Sequence, residues 1–304
     1  MLDFLPSPVK GVLSFIGYLL NTFCLTPPLI LVSLLKFVLP FKGGVVLLDK
    51  ILNWIATLWI SINGMNCDLF NKIEWQVKGL TSLKKKDWYL VISNHQSWVD
   101  ILVLQKIFNR KIPMLKFFLK KELIWVPFLG LAWWALDFPF MKRYSKKFLE
   151  ANPHLKGRDL ERTRKACEKF KNNPVSVMNF VEGTRFTPEK HDLQKSCFDR
   201  LLLPKAGGIA FVLGSMGEYL HNIINVTIAY PGQVPTFWDY ISGKTKQIIV
   251  DVDIFPVAGQ MTGDYFNNDG YRQQFCEWLN QIWQEKDQKL AELLHPAPGD
   301  RPLA

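Results

Sequence analysis

The chain has 304 residues, a formal charge of +10, 48% hydrophobic and 13% aromatic residues, including 11 Trp and 22 Phe. That apolar content excludes a largely disordered chain, and the length suits one large domain with an appendage, or two small domains. The basic balance calls for an anionic partner, but no zinc-finger spacing or RNP1-like aromatic run accompanies it, so nucleic acid is set aside and a membrane surface is favoured.

The first element is a nearly continuous apolar run, GVLSFIGYLLNTFCLTPPLILVSLLKFVLP (11–40), with one charge at Lys36. A spanning helix needs about 20 apolar residues, and this run would extend roughly 45 Å if wholly helical. Pro27 and Pro28 are expected to kink or split it, giving one kinked span or two helices dipping into a leaflet. No small-residue cleavage site follows, which disfavours a secretory signal. VVLLDKILNWIATLWISIN (45–63) is amphipathic through Asp49, Lys50 and Asn53, so it is expected to lie on the membrane or pack on the domain. Lys36 near the end of the first run and Lys42 and Lys50 after it, against Lys10 before it, place the following domain on the cytoplasmic side.

From about residue 66 the pattern is globular. WYLVIS (88–93), PVSVMNFV (174–181), INVTIAY (224–230) and QIIVDVDIF (247–255) read as buried strands, and 98–108, 158–171, 206–221 and 271–294 as helices. The alternation predicts an α/β fold: a central, mostly buried sheet flanked by helices, behind an N-terminal membrane-associated helical segment. The expected division is an anchor over 1–65, a globular domain over 66–290 and a flexible tail over 291–304. The stretch 122–141 could pass for another span, but Glu122, Asp137, two prolines and a glycine favour an apolar surface that touches membrane or lines a pocket. The five cysteines are scattered without a CxxC pair, which fits a reducing compartment and argues against a disulfide frame or a zinc site, so no metal is expected.

HxxxxD spacing occurs three times, at His95/Asp100, His154/Asp159 and His295/Asp300. Only His95 sits directly between a buried strand and a helix, where α/β folds build sites. Residues five apart on one helix point about 140° apart, so the pair requires His95 on the turn and Asp100 in the first helical turn. There the carboxylate would fix the imidazole tautomer and leave the other nitrogen to take a hydroxyl proton. Ser97-x-x-Asp100 also fits a capping box, which would make Asp100 a helix-start residue; both readings stay open. A second element, NFVEGTRFTPEK (179–190), ends a strand in Glu182-Gly183-Thr184-Arg185. Glycine allows close backbone approach, and N–H groups with a Thr hydroxyl and an Arg fork suit a phosphate, although an ordinary turn with a surface Glu–Arg pair fits as well.

NHxxxxD followed by EGTR resembles the PlsC-type glycerophospholipid acyltransferase family. Lys120, Glu122, Leu123, Pro127 and Gly130, then Phe140 and Arg143, match its Lys-x-Glu-Leu…Pro-x-x-Gly…Phe-x-x-Arg block, and Lys205 with Gly207 matches a later Lys-x-Gly element. The resemblance covers residues 70 to 255 and is closest to the long bacterial inner-membrane members. Val181, Asp137 and Asn225 stand where the family usually has Pro, Gly and Pro; Asp137 bears on the acceptor or acyl pocket. The resemblance implies that His95, oriented by Asp100, deprotonates the sn-2 hydroxyl of lysophosphatidic acid, which attacks acyl-CoA or acyl carrier protein. It further implies that Glu182, Gly183, Thr184 and Arg185 place the acceptor, and that Arg185, Lys120, Arg143 and Lys205 serve its binding. It implies no metal or bound cofactor, membrane lipids as partners, and a bacterial inner membrane location with the site facing the cytoplasm. Another acceptor, glycerol 3-phosphate or a lysophospholipid with a head group, is the alternative; a non-catalytic membrane-surface scaffold is the remote one. A lipase elbow is missing, because Gly214-Ser215-Met216-Gly217 lacks the G-x-S-x-G spacing, and Gly243-Lys244-Thr245 lacks the upstream glycine of a P-loop.

Overall fold

A computed structural model describes residues 2, 4–39, 41–138, 140–141 and 174–295. The helix expected over 158–171, Arg143, the His154/Asp159 pair and Asp300 lie outside the described residues, as does the side chain of Lys120.

Two long helices, α1 (Ser7–Val38) and α2 (Lys42–Phe70), form an N-terminal hairpin. α1 runs on as one helix with Pro27 and Pro28 inside it, so the expected split does not occur. The prolines remove two amide donors, but neighbouring turns and packing on α2 hold the helix together. Polar residues stitch the hairpin along its seam. Asn21 donates to Asn63 Oδ1 at 2.7 Å and to the Trp59 carbonyl at 2.9 Å, and Asn66 donates to the Ser14 carbonyl at 2.9 Å. Such bonds are how helices associate where the surroundings are as apolar as their side chains. The opposite faces present Phe15, Leu19, Leu20, Phe23, Leu34 and Trp54 outward. Both helices are long and apolar enough to cross a membrane, and their exposed faces support membrane association.

A six-stranded mixed sheet follows, in the order β1-β8-β7-β2-β6-β3, comprising β1 (Glu74–Lys78), β2 (Tyr89–Ser93), β3 (Leu115–Phe117), β6 (Ser176–Phe180), β7 (Asn222–Ala229) and β8 (Gln247–Pro256). β2, β3, β6 and β7 run parallel, and β8 is antiparallel to β7. Every residue of β2 is buried, as a strand covered on both faces must be. Its alternation divides the core. Tyr89 and Val91 pack on the face covered by α3 (Val99–Phe108) and α7 (Phe237–Ile241), whereas Leu90 and Ile92 face α6 (Ala206–Met216) and α8 (Asp269–Leu294) in the other layer; α5 (Pro188–Gln194) completes the helices.

The stretch 122–141 is not a span. It breaks into a 3-10 turn (Lys121–Trp125), α4 (Leu129–Ala135) and a two-residue strand, β5 (Phe140–Met141), paired with β4 (Leu119–Lys120). A Cβ on Gly130 would fall 2.0 Å from the Ile124 carbonyl oxygen, so this tight reversal requires glycine there. α4 packs against the hairpin, with Phe23 on Phe128 and Phe37 on Trp134, and Trp125 stands 85% exposed beside it. Asp137 turns towards the hairpin: Lys36 of α1 lies 2.8 Å from Asp137 and 2.6 Å from Asp49 of α2.

Candidate active site

The register of the parallel strands assembles the site. Ser93 of β2 lies opposite Phe180 of β6 and Val226 of β7. The residues just beyond these three strand ends are therefore neighbours: His95 after β2, Glu182 after β6, and Ile228 to Tyr230 at the end of β7. Asn94 fastens two of the ends together, donating to the Ile228 carbonyl and accepting from its amide, both at 2.9 Å.

His95 Nδ1 lies 2.8 Å from Asp100 Oδ2, and the same oxygen accepts from the amides of Gln96 at 2.7 Å and Ser97 at 2.9 Å. An ionised carboxylate only accepts, so the proton of neutral His95 sits on Nδ1 and Nε2 keeps its lone pair. Among the described residues nothing bonds Nε2. The two readings of Asp100 thus merge. It takes the amide of Ser97 as a helix-start acid does, while the Ser97 hydroxyl accepts from Val99 N and donates to the Pro235 carbonyl, so no reciprocal capping box forms. The imidazole stacks on Phe180 at 3.8 Å between ring centroids and 12° between planes, which fixes its remaining freedom.

Glu182 is 0% exposed and faces inward. Its Oε1 accepts from the His95 amide and its Oε2 from the Leu202 amide, both at 2.8 Å. It therefore clamps the backbone beneath His95 to the loop that leads into α6. Burial pushes its carboxyl up to about 7, and the charge of Asp100 adds to this, against the two amide bonds and the ammonium of Lys286. Native Glu182 holds a proton that the unfolded chain has released, so its contribution to stability is present below pH 4.5 and is lost as pH rises to about 7. Glu182→Gln has no such proton. Its stability relative to the parent should improve by roughly 3 kcal/mol across that window, read from denaturant unfolding at a series of pH values.

Gly183 adopts φ +69°, a left-handed conformation that glycine accepts without strain. A Cβ there would meet Lys205 at 3.1 Å (Cδ) and 3.2 Å (Nζ), so the ammonium of Lys205 lies against the Glu182–Arg185 turn. Arg185 is exposed, and its guanidinium carbon sits 4.8 Å over the ring of Trp98. Thr184 Oγ1 accepts from Lys190 Nζ at 2.9 Å, and the same ammonium reaches the Arg185 carbonyl at 2.9 Å. The Phe186 amide donates to the His95 carbonyl at 2.7 Å and closes the two motifs on each other. Three cations, Arg185, Lys190 and Lys205, thus gather at a turn hydrogen-bonded to the His95 backbone. The fold brings together His95, Asp100, Glu182, Gly183, Thr184, Arg185 and Lys205 of the expected set, and places Lys120 in β4.

Sequence reasoning missed Lys190, Trp98 and Tyr230. The first two lie inside the quoted motifs, where a cation five residues after Arg185 and an aromatic three after His95 were available signals. Tyr230 stands just past the end of β7, and its phenol donates to Asp100 Oδ1 at 2.6 Å.

Residues 74–229, just over half of the chain, match the family model described as Acyltransferase. An uncharacterized acyltransferase of Saccharomyces cerevisiae is 26% identical over 83% of this chain and 69% of its own length. The human 1-acyl-sn-glycerol-3-phosphate acyltransferase delta is 25% identical over 66% of this chain and 52% of its own. The chain thus spans about half the length of that human relative. A crystal structure of the 1-acyl-sn-glycerophosphate acyltransferase PlsC from Thermotoga maritima aligns over 93% of this chain and all of its own, at 18% identity and a TM-score of 0.46. With its two motif turns on adjacent strand ends inside the matched region, the chain belongs to the acyltransferase family whose PlsC-type motif blocks its sequence carries.

Proposed function

We propose that this protein transfers a fatty acyl group from acyl-CoA or acyl carrier protein to the sn-2 hydroxyl of lysophosphatidic acid, giving phosphatidic acid. The observation that carries the reading is the 2.8 Å contact of His95 Nδ1 with Asp100 Oδ2, from which it follows that a neutral ring carries its proton on Nδ1 and leaves Nε2 to act. Nε2 removes the hydroxyl proton as the oxygen attacks the thioester carbonyl carbon. The C–O bond forms, the C–S bond breaks, and the departing thiolate takes up the proton, so no acyl-enzyme is required. The cations at the Glu182–Arg185 turn suit the phosphate of the acceptor, with Lys120 and Arg143 added by the family resemblance. Gly183 and Thr184 shape that turn. Glu182 acts as a positioning residue through the backbone of His95, since its carboxylate is enclosed.

Residues 1–65 serve as the anchor, 66–290 as the catalytic domain and 291–304 as a tail. The outward apolar faces of α1 and α2 support a site held at the bilayer where acceptor and product reside. The lysines after the first apolar run support a cytoplasmic orientation, and the likeness to long bacterial members supports the inner membrane.

The test is an acceptor panel with full-length protein in lipid vesicles, pairing lysophosphatidic acid, glycerol 3-phosphate and lysophosphatidylcholine with both donor types. Product from lysophosphatidic acid is expected. Product only from another acceptor would move the reading to that substrate, and no transfer with any pair would favour a scaffold. In the same assay Arg185→Ala should raise the KM for lysophosphatidic acid by about tenfold, with a smaller change in kcat, as for the loss of a charge-assisted phosphate contact.

A further inference from the structure

We infer that Tyr230 is a positioning residue for the reaction, a third member that holds Asp100 in the orientation from which it aligns His95. The inference rests on His95 acting as the base.

Asp100 is 0% exposed, and its two oxygens have separate duties. Oδ2 takes the His95 ring and the amides of Gln96 and Ser97. Oδ1 takes the Tyr230 phenol at 2.6 Å. Without that donor Oδ1 would be buried and unpaired, and the carboxylate would be able to turn about its Cβ–Cγ bond. The phenol is delivered by the fold rather than by chance packing. Asn94 bonds both backbone groups of Ile228, two residues before Tyr230, and so extends the β2–β7 pairing past the strand end. Ser97 then ties the following loop at the Pro235 carbonyl. The segment bearing Tyr230 is thus anchored at both ends to the turn that bears His95. Burial, and next the charge of Asp100, push the phenol pKa well above its ordinary value, so Tyr230 remains a neutral donor.

The sign of its effect follows. A hydrogen bond to Oδ1 draws negative charge away from Oδ2, which tempers the attraction between the carboxylate and the imidazolium. Removing it makes Asp100 more basic and stabilises protonated His95. Glu182 beyond β6 interacts with Asp100, Lys286 on α8 interacts with Glu182, and Tyr240 interacts with Tyr230; all three are unchanged by the substitution.

The experiment compares full-length Tyr230→Phe with the parent and His95→Ala in vesicles, measuring kcat, KM and the pH profile of kcat/KM. Tyr230→Phe should lower kcat by about tenfold, leave KM within about twofold, and move the acid limb to higher pH. Replacing Tyr230 by 3-fluorotyrosine keeps the bond and the shape but strengthens the donor, so it should move the acid limb to lower pH. It also serves if the Phe variant does not fold. An unmoved acid limb in the variants, whatever happens to stability, would overturn the positioning role. Activity retained by His95→Ala would instead overturn the proposed function, independently of Tyr230.

Discussion

Replacing His95 by alanine should reduce acyl transfer by about 10²- to 10⁴-fold while vesicle association and helical content stay as in the parent. The expectation comes from what the ring does and does not support. Its only hydrogen bond among the described residues is to Asp100, and its face rests on Phe180. The turn that carries it is held through backbone groups: the His95 amide on Glu182 and the His95 carbonyl under the Phe186 amide. Alanine preserves both. The exposed apolar faces of α1, α2 and the α4 segment do not include the imidazole. Parent-like transfer by the variant would remove His95 from the chemistry altogether.

Asp100→Asn should lower transfer by a comparable factor, about 10² to 10⁴, and should also lower stability by roughly 2 kcal/mol. Four donors converge on this carboxylate: His95 Nδ1, the amides of Gln96 and Ser97, and the Tyr230 phenol. An amide side chain has one accepting oxygen. If that oxygen takes the place of Oδ2, its NH₂ confronts the Tyr230 hydroxyl, which must then rotate to accept. If it takes the place of Oδ1, two backbone amides and the imidazole all face a donor, and neutral His95 is driven to the tautomer with its proton on Nε2. The first arrangement costs stability and weakens imidazolium stabilisation; the second removes the base. Asp100 also loses its favourable charge at the start of α3. Assaying well below the midpoint of thermal unfolding separates the chemical loss from the structural one. Full turnover in a stably folded variant would reduce Asp100 to a helix-start residue.

The departures from the family pattern acquire physical meaning in the structure. Asp137, expected to bear on the acceptor or acyl pocket, meets Lys36, which also holds Asp49. This joins the segment after α4 to both hairpin helices. Asn225 lies in the middle of β7, paired on one side with β2 and on the other with β8, where its backbone amide is available to the ladder as a proline's is not.

The α/β class, the four ordered motif blocks, the apolar N-terminus and the strand-to-helix setting of His95 among three HxxxxD spacings are legible in the chain's own residues. These are local or periodic properties: a buried run, a turn, a helix start, a block of about 20 apolar residues. Which groups face one another from distant parts of the chain emerges only with the folded arrangement. The resemblance implies that Glu182 helps place the acceptor, yet strand register turns it inward onto the amides of His95 and Leu202. α1 continues through Pro27 and Pro28 because its partner helix stabilises it, a contribution no local propensity contains. Tyr230 reaches Asp100 across 130 positions only because β7 is placed beside β2. Hydrophobic periodicity reports which face of an element is buried, but the partner of a buried polar group is set by the order and register of strands, and that order exists only once the sheet has formed.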